Sequence, residues 1–428
     1  MHVLILTLGS RGDVQPYVAL GKGLKARGHK VTLCTSARFE SFVTEHGLNY
    51  GYMTDELLQL MDSTQGRAIM EDATNLWEII KATRQLSQQV APLQHKMLHD
   101  SWTVAQSAQP NVIIFHPKTY GGPHFAEKLR IPAILAVPLP ILVPTAEYPV
   151  MSFPRLPLGE PLKSWYNRLT YRVVNALFAF SAGKPIKTWR TDHQLPPQPK
   201  FDILHTQAGT PMPVLHCYSH HVAPEPTDWP DRVIASGYWF LNQQPTWQPS
   251  EALKTFLEAG EPPVYVGFGS LSGRHPEHLT QIVIEALQQA QVRGILATGW
   301  GGLSATDLPE TIFKLEQAPH DWLFPQMAAV VHHGGAGTTA AGLRASCPTI
   351  VCPFFGDQPF WAQQVKALGV GSDPIPQKKL TAEKLAAAIR TVTTDPTMRQ
   401  KAQVLGEKLR QEDGMATAIA FIETVGKP

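Results

Sequence analysis

Short apolar runs, each followed by turn residues and an amphipathic stretch, occur in two series along this chain, and that alternation leaves little besides layered α/β architecture. Val3–Leu8 is apolar except at Thr7, as suits a strand buried on both faces of a parallel sheet. Pro16 fits the first turn of the helix that follows, on which Tyr17, Leu20, Gly21 and Leu24 share one face. Gly28 stops that helix, Val31–Thr35 is the next strand, and the unit reads as βαβ with a right-handed crossover. Further strands are predicted at Val112–Phe115 and Ile134–Val137. Between the two pairs, Asn75–Asp100 has helical composition, with Trp77, Ile80, Leu86 and Val90 turned inward.

The second series predicts strands at Val264–Phe268, Gly294–Thr298, Val330–His332 and Thr349–Cys352. Its helices fall at Glu277–Gln289, Thr338–Ala345, Gln358–Leu368, Thr381–Thr393 and Thr397–Arg410, and Ala416–Val425 is a last apolar one. Prolines punctuate the space between the series. There are 37 in 428 residues, against a usual ~5%, and they gather in Val137–Pro161 and Pro196–Pro249. Such stretches are expected to hold neither long helices nor central strands. Two doubly wound domains result: 1–222, a Pro-rich linker 223–247, then 248–410, with a C-terminal helix in 411–428 packing back on the first domain.

The 43% hydrophobic and 17% charged content is that of a globular protein, and a net charge of +2 gives no electrostatic case for nucleic acid. Four scattered cysteines without a CxxC pair suggest reduced thiols in a cytoplasmic protein. The opening apolar run is too short for a signal peptide or a membrane span.

Three motifs carry chemistry. In His332–Thr339, HHGGAGTT, a strand end runs into a helix start through glycines that let backbone approach a ligand. N–H groups there suit a phosphate, with Thr338 and His333 as further donors. In Cys352–Pro359, Asp357 and Gln358 pair a carboxylate with a carboxamide, the combination that reads vicinal sugar hydroxyls. In Gly9–Pro16, GSRGDVQP, Asp13 stands where open α/β sheets bind ligands, placed to accept a proton from an attacking hydroxyl, while Ser10 is placed to hold phosphate or acceptor. Each has a plain alternative: a glycine turn with a capping Thr, an Asp N-cap beside a solvated Gln, and an Asp capping the helix at Pro16. A free aspartate, with a pKa of ~3.9, removes an alcohol proton only as the new carbon–oxygen bond forms.

With these residues in view, the chain resembles family-1 UDP-sugar glycosyltransferases. It is most similar to the sterol glucosyltransferase branch and less so to the antibiotic-aglycone enzymes. The resemblance spans the chain through Gly9–Pro16 with Leu20-Gly21, Phe115–Lys118, Val266–Ser270, Pro319–Pro325, His333–Thr338 and Pro353–Gln358. It implies the GT-B fold, two Rossmann-like doubly wound domains with a cleft between them, whose closure brings Asp13 to the donor. By the same resemblance, Pro319 and His320 hold the uracil, and Ser270 lies near the phosphates. His333, Gly335, Gly337 and Thr338 grip the diphosphate, Asp357 and Gln358 take the sugar, and Asp13 is the general base. Ser10, Arg11, Gly12 and His116 fall on the acceptor side. Plant members of the superfamily carry a His where this chain has Asp13, so their His–Asp dyad does not transfer.

The implied reaction is inverting transfer of glucose from UDP-glucose to a sterol-like or other lipophilic hydroxyl, giving a β-glycoside. No D-x-D pair occurs and neither metal nor cofactor is expected, because the turn at His333–Thr338 would stabilise the departing UDP. Another small aglycone and a nucleotide-sugar epimerase remain as alternatives, with a non-catalytic scaffold disfavoured. His216–His221 lacks a recognisable zinc spacing. The aromatic segment Pro140–Phe180, with Tyr148, Met151, Phe153, Trp165, Tyr166, Tyr171 and Phe178, reads as acceptor pocket, peripheral membrane contact or ordinary core.

Overall fold

The structure is a computed structural model that describes residues 1–63, 76–198, 200–242, 247–269, 276–298 and 308–427. Two compact units emerge: Met1–His220 with Glu225–Leu241 and Asp413–Pro428, and His221–Pro224 with Asn242–Glu412.

The first unit is built on seven parallel strands in the order β3-β2-β1-β4-β5-β6-β7. They are β1 His2–Leu6, β2 Lys30–Ser36, β3 Asn49–Met53, β4 Val112–Phe115, β5 Ala133–Val137, β6 Val214–His216 and β7 Val233–Ala235. Alternation along β1 explains its unbroken apolarity. Val3 and Ile5 join Tyr17, Val18 and Leu20 in one core, whereas Leu4 and Leu6 join Met97, Trp102 and Phe125 in the other. The second unit repeats the plan with five strands, β10-β9-β8-β11-β12: β8 Val264–Gly267, β9 Gly294–Ala297, β10 Ile312–Leu315, β11 Ala329–His332 and β12 Thr349–Val351. Val264 and Val266 face Leu279, Val283 and Leu287, while Tyr265 turns to Leu253, Ile295 and Phe324 on the opposite side.

Strand order reverses between β1 and β4 in one sheet and between β8 and β11 in the other. At such a switch point the connecting loops diverge to opposite faces and leave a crevice at the carboxyl ends of the strands.

Several expectations are corrected. Pro16 does not open its helix: Arg11–Ala26 begins five residues earlier, at an N-cap Ser10, and carries Pro16 inside. The Pro-rich 196–249 stretch does contain an internal strand. β6 follows Pro213, which lacks an N–H but offers its carbonyl to the Leu135 N–H at 2.9 Å. Nor is 223–247 simply a linker, because Val233–Ala235 is the seventh strand of the sheet. The helical segment expected at 75–100 is described as a helix from Leu76 to Ala108, with residue 75 outside the described residues. Val90 is half-buried, while the side chains of Trp77, Ile80 and Leu86 lie outside the described residues. All four cysteines are buried and unpaired, and no helix among the described residues is long and apolar enough to cross a membrane.

The last helix, Gly414–Val425, completes the first unit. Ala418, Ile419 and Ile422 are buried beside Leu20 and Leu24, and a Cβ on Gly23 would stand 2.6 Å from Met415 Sδ. Glu423 adds contacts to His29 at 3.0 Å and Arg27 at 3.6 Å. Ile422→Ala is therefore expected to cost ~2–4 kcal/mol of unfolding free energy in urea titration. A surface helix would lose well under 1 kcal/mol.

Candidate active site

The first-unit site lies at its switch point. Beyond β1, the N–H of Ser10 donates to Asp13 Oδ2 at 2.8 Å and the Ser10 hydroxyl donates to the same oxygen at 3.0 Å. This is the N3 acid of a capping box reaching back to its N-cap. Gly9 makes it possible: its φ is +145°, and a Cβ there would overlap the Asp13 carboxylate. The other oxygen, Oδ1, faces the loop beyond β4. Lys118 Nζ donates to it at 3.0 Å, and His116 Nε2 stands 3.5 Å away.

The His116 tautomer follows from its other nitrogen. Nδ1 accepts the Lys118 N–H at 3.1 Å, which puts the ring proton on Nε2, facing Asp13. Burial pulls the His116 pKa down to about 3, so the ring is a neutral donor. For Asp13, burial works to raise the pKa, but Lys118, His116 and the Ser10 contacts outweigh it and hold the carboxyl below its ordinary value. Asp13 is thus not the N-cap of a helix starting at Pro16 but the N3 acid of the helix that Ser10 caps, and an ionised carboxylate held by donors on both oxygens.

Other first-unit candidates are placed less directly. Arg11 turns aside, donating from Nε to Gln15 Oε1 at 2.9 Å with its guanidinium 4.9 Å over the Phe42 ring. Gly12 is exposed, and a Cβ there would meet only Ser10 Oγ, at 3.6 Å. Lys118 stood in a quoted motif without a role, because nothing in local spacing links positions 13 and 118. Their pairing becomes visible once β1 and β4 are neighbours.

The second-unit site occupies the corresponding switch point. His333 follows β11, and its ring lies between Gly269 beyond β8 and Gly335: added Cβ atoms there would stand 3.0 Å from Cε1 and 2.6 Å from Nε2. Burial lowers the His333 pKa to about 4, leaving the ring neutral, and its buried Nδ1 has no partner among the described residues. Helix Ala336–Arg344 starts at once, with Gly335 as N-cap and no side-chain cap. The N–H groups of its first turn, at Ala336, Gly337 and Thr338, are therefore presented outward beside His333.

Gly334, at φ +95°, brings this turn against the Asp-Gln motif, for a Cβ there would lie 3.1 Å from the Gln358 carbonyl oxygen. Asp357 is the N-cap of helix Gln358–Leu368, and its Oδ2 accepts from Trp361 Nε1 at 2.9 Å. Gln358 is buried, and its side-chain carbonyl accepts the Phe354 N–H at 2.7 Å and the Phe355 N–H at 3.3 Å. The side-chain carbonyl therefore braces the loop that precedes its own helix. Pro319 caps the short helix His320–Leu323, and His320 stacks on Phe324 at 4.2 Å. Ser270 lies outside the described residues.

A cavity of about 970 Å³ sits elsewhere in the first unit, lined by Ile131, Pro132, Pro213, Arg232 and Phe421. Those residues mark the amino ends of β5, β6 and β7, whereas the carboxylate and its donors lie at the carboxyl ends.

If Lys118 holds the Asp13 pKa down, Lys118→Met should raise it, as read by carbon NMR of the Asp13 carboxyl. An unchanged titration would assign the depression to Ser10 and His116 instead.

Residues 3–146 match the model of the glycosyltransferase family 28 N-terminal domain, and residues 296–418 that of the erythromycin biosynthesis protein CIII-like C-terminal domain. Two sterol 3-beta-glucosyltransferases of Arabidopsis thaliana are 38% and 37% identical over 98% of this chain, which spans 67% and 64% of their lengths. The sterol 3-beta-glucosyltransferase of Aspergillus clavatus is 38% identical over 99% of the chain, which covers 29% of that protein. Among solved structures, the glycotransferase of kitacinnamycin superposes with a TM-score of 0.72 at 21% identity, covering 100% of this chain and 99% of that one. The glycosyltransferase VinC, in complex with dTDP, gives 0.68 at 18% identity, covering 99% of each. The chain belongs to the family of the sterol 3-beta-glucosyltransferases and is a glycosyltransferase of the GT-B fold.

Proposed function

We propose that the chain transfers glucose from UDP-glucose to the hydroxyl of a sterol with inversion at the anomeric carbon. The acceptor class is supported by the near-full-length identity to sterol 3-beta-glucosyltransferases. The chemistry is supported above all by the Asp13 carboxylate, kept ionised at a switch point by donors on both oxygens.

Such a carboxylate is a weak base, so proton transfer and bond formation run together. The acceptor oxygen bonds to the anomeric carbon as its proton passes to Asp13. The bond from that carbon to the diphosphate oxygen breaks, and its electron pair leaves with UDP. A single displacement turns an α-linked donor into a β-linked product. Charge growing on UDP is met by the first-turn N–H groups at Ala336–Thr338, the Thr338 hydroxyl and neutral His333. Asp357 and the Gln358 NH2 hold sugar hydroxyls, and backbone at Pro319 and His320 holds the uracil. Because sterols partition into bilayers, the chain works at a membrane surface.

Incubation with UDP-glucose and panels of sterols, flavonoids and macrolides, following UDP release and product mass, tests the reading. A glucosylated sterol is expected. Transfer only to another acceptor class would replace the sterol assignment, and no transfer with UDP-glucose binding intact would remove the transferase reading. Asp13→Asn should bind donor normally and lose ~10²-fold or more in kcat; retained turnover would displace it as base. His333→Ala should weaken UDP binding by about tenfold, and unchanged affinity would move the diphosphate elsewhere. Asp13 must be ionised to act, so activity should persist as pH falls to below the ordinary carboxylate range. His116 and His333, already neutral, should add no inflection near the usual His value of ~6.5.

A further inference from the structure

Helix Leu162–Asp192 has two apolar faces where one would suffice. Its inner face buries Tyr171, Ala182, Ile186 and Trp189. On the opposite side, at helical spacing, stand Leu162 at 53% exposure, Trp165 at 58%, Leu177 at 46% and Phe180 at 82%. Leu156, 42% exposed in the preceding loop, belongs to the same surface, because the Tyr166 hydroxyl donates to the Pro154 carbonyl at 2.9 Å and ties that loop to the helix. These five account for most of the large exposed hydrophobic side chains among the described residues. Solvent-exposed single apolar residues are ordinary, but five gathered on one helix face and its adjoining loop mark an interaction surface.

The charges around the stripe are predominantly positive. Between residues 155 and 192 the sequence carries seven Lys and Arg against two acids, Glu160 and Asp192, in a chain whose net charge is only +2. Arg168 is neutralised by Asp228, Lys163 meets Glu160, and Arg190 is buried against Glu127. Arg172, Lys184 and Lys187 are exposed on or beside the apolar face. The helix is too polar to cross a bilayer, yet an apolar stripe with Trp and Phe, flanked by cations, suits a helix lying in the interface of an anionic membrane.

We infer that the outer face of Leu162–Asp192, with Leu156, is the surface by which this protein docks on a bilayer containing anionic lipid. The inference names the surface for the membrane working place proposed above. The stripe enters the boundary between headgroups and acyl chains, and Arg172, Lys184 and Lys187 meet lipid phosphates. Docking of this kind adds attraction without any spanning segment and weakens with salt.

The test is sedimentation of the full chain with vesicles of phosphatidylcholine and phosphatidylserine, comparing wild type, the double variant Leu177→Asp with Phe180→Asp, and the double variant Lys184→Glu with Lys187→Glu. Wild type should partition onto the vesicles. The aspartate pair should partition about tenfold less or weaker still, and the glutamate pair should lose affinity at low salt but converge on wild type at high salt. Transfer to sterol held in cyclodextrin should be the same for the aspartate pair and wild type, so that loss of docking is read separately from loss of chemistry. Equal partition of the aspartate pair and wild type, or no partition by wild type, would overturn the docking surface even where transfer is normal. Sedimentation velocity in the absence of lipid closes the remaining alternative: a wild-type dimer that the aspartate pair dissolves would assign the face to a second copy of the chain and overturn the membrane assignment.

Discussion

Parallel strands have to be roofed by helices on both faces, and a crossover helix begins after the strand that feeds it. The strand-to-helix turns of a sheet therefore gather at one edge. The reversal of strand order then splits that edge between β1 and β4, and again between β8 and β11. Ser10–Asp13, His116–Lys118 and His333–Thr338 occupy these splits as a consequence of winding direction. Residues 105 apart in sequence become ion-pair partners because two strands are neighbours.

The two sites handle charge in opposite ways. Asp13 is kept charged in partial burial by Lys118, a neutral imidazole N–H and two contacts from Ser10. His333 is kept uncharged by burial, and the helix end beside it offers partial charges rather than a full one. With the diphosphate at this helix start, as proposed, backbone dipoles and a neutral ring would be what meets the negative charge developing on the leaving group.

The alternation that defines the fold was legible because strands buried on both faces must be apolar throughout, as in Val3–Leu6 or Val330 and Val331. What escaped was short or two-sided. β6 and β7 have three residues each and sit among prolines, too brief for any period to register. Leu162–Asp192 is apolar on opposite faces, which cancels the single-stripe signal by which a surface helix is read. Within the site, backbone demands were visible as glycines, since Gly9, Gly334 and Gly335 each leave room for a side chain or loop that a Cβ would strike. Partnerships were not visible: Lys118 on Asp13, or the Gln358 carbonyl turned onto Phe354 and Phe355, depend on which loops the sheet places together.

The first unit is discontinuous in sequence. Its sheet is complete by Ala235, but Ala418, Ile419 and Ile422, from a helix nearly two hundred residues further on, fill the floor beneath the helix that carries Asp13. During synthesis the first unit must wait with an uncovered apolar surface while the whole second unit is made, although domains usually fold in the order in which they emerge. The second unit, contiguous apart from four residues, can finish first. The late arrival of one short helix thus sets the moment at which the half of the chain bearing the carboxylate becomes fully folded.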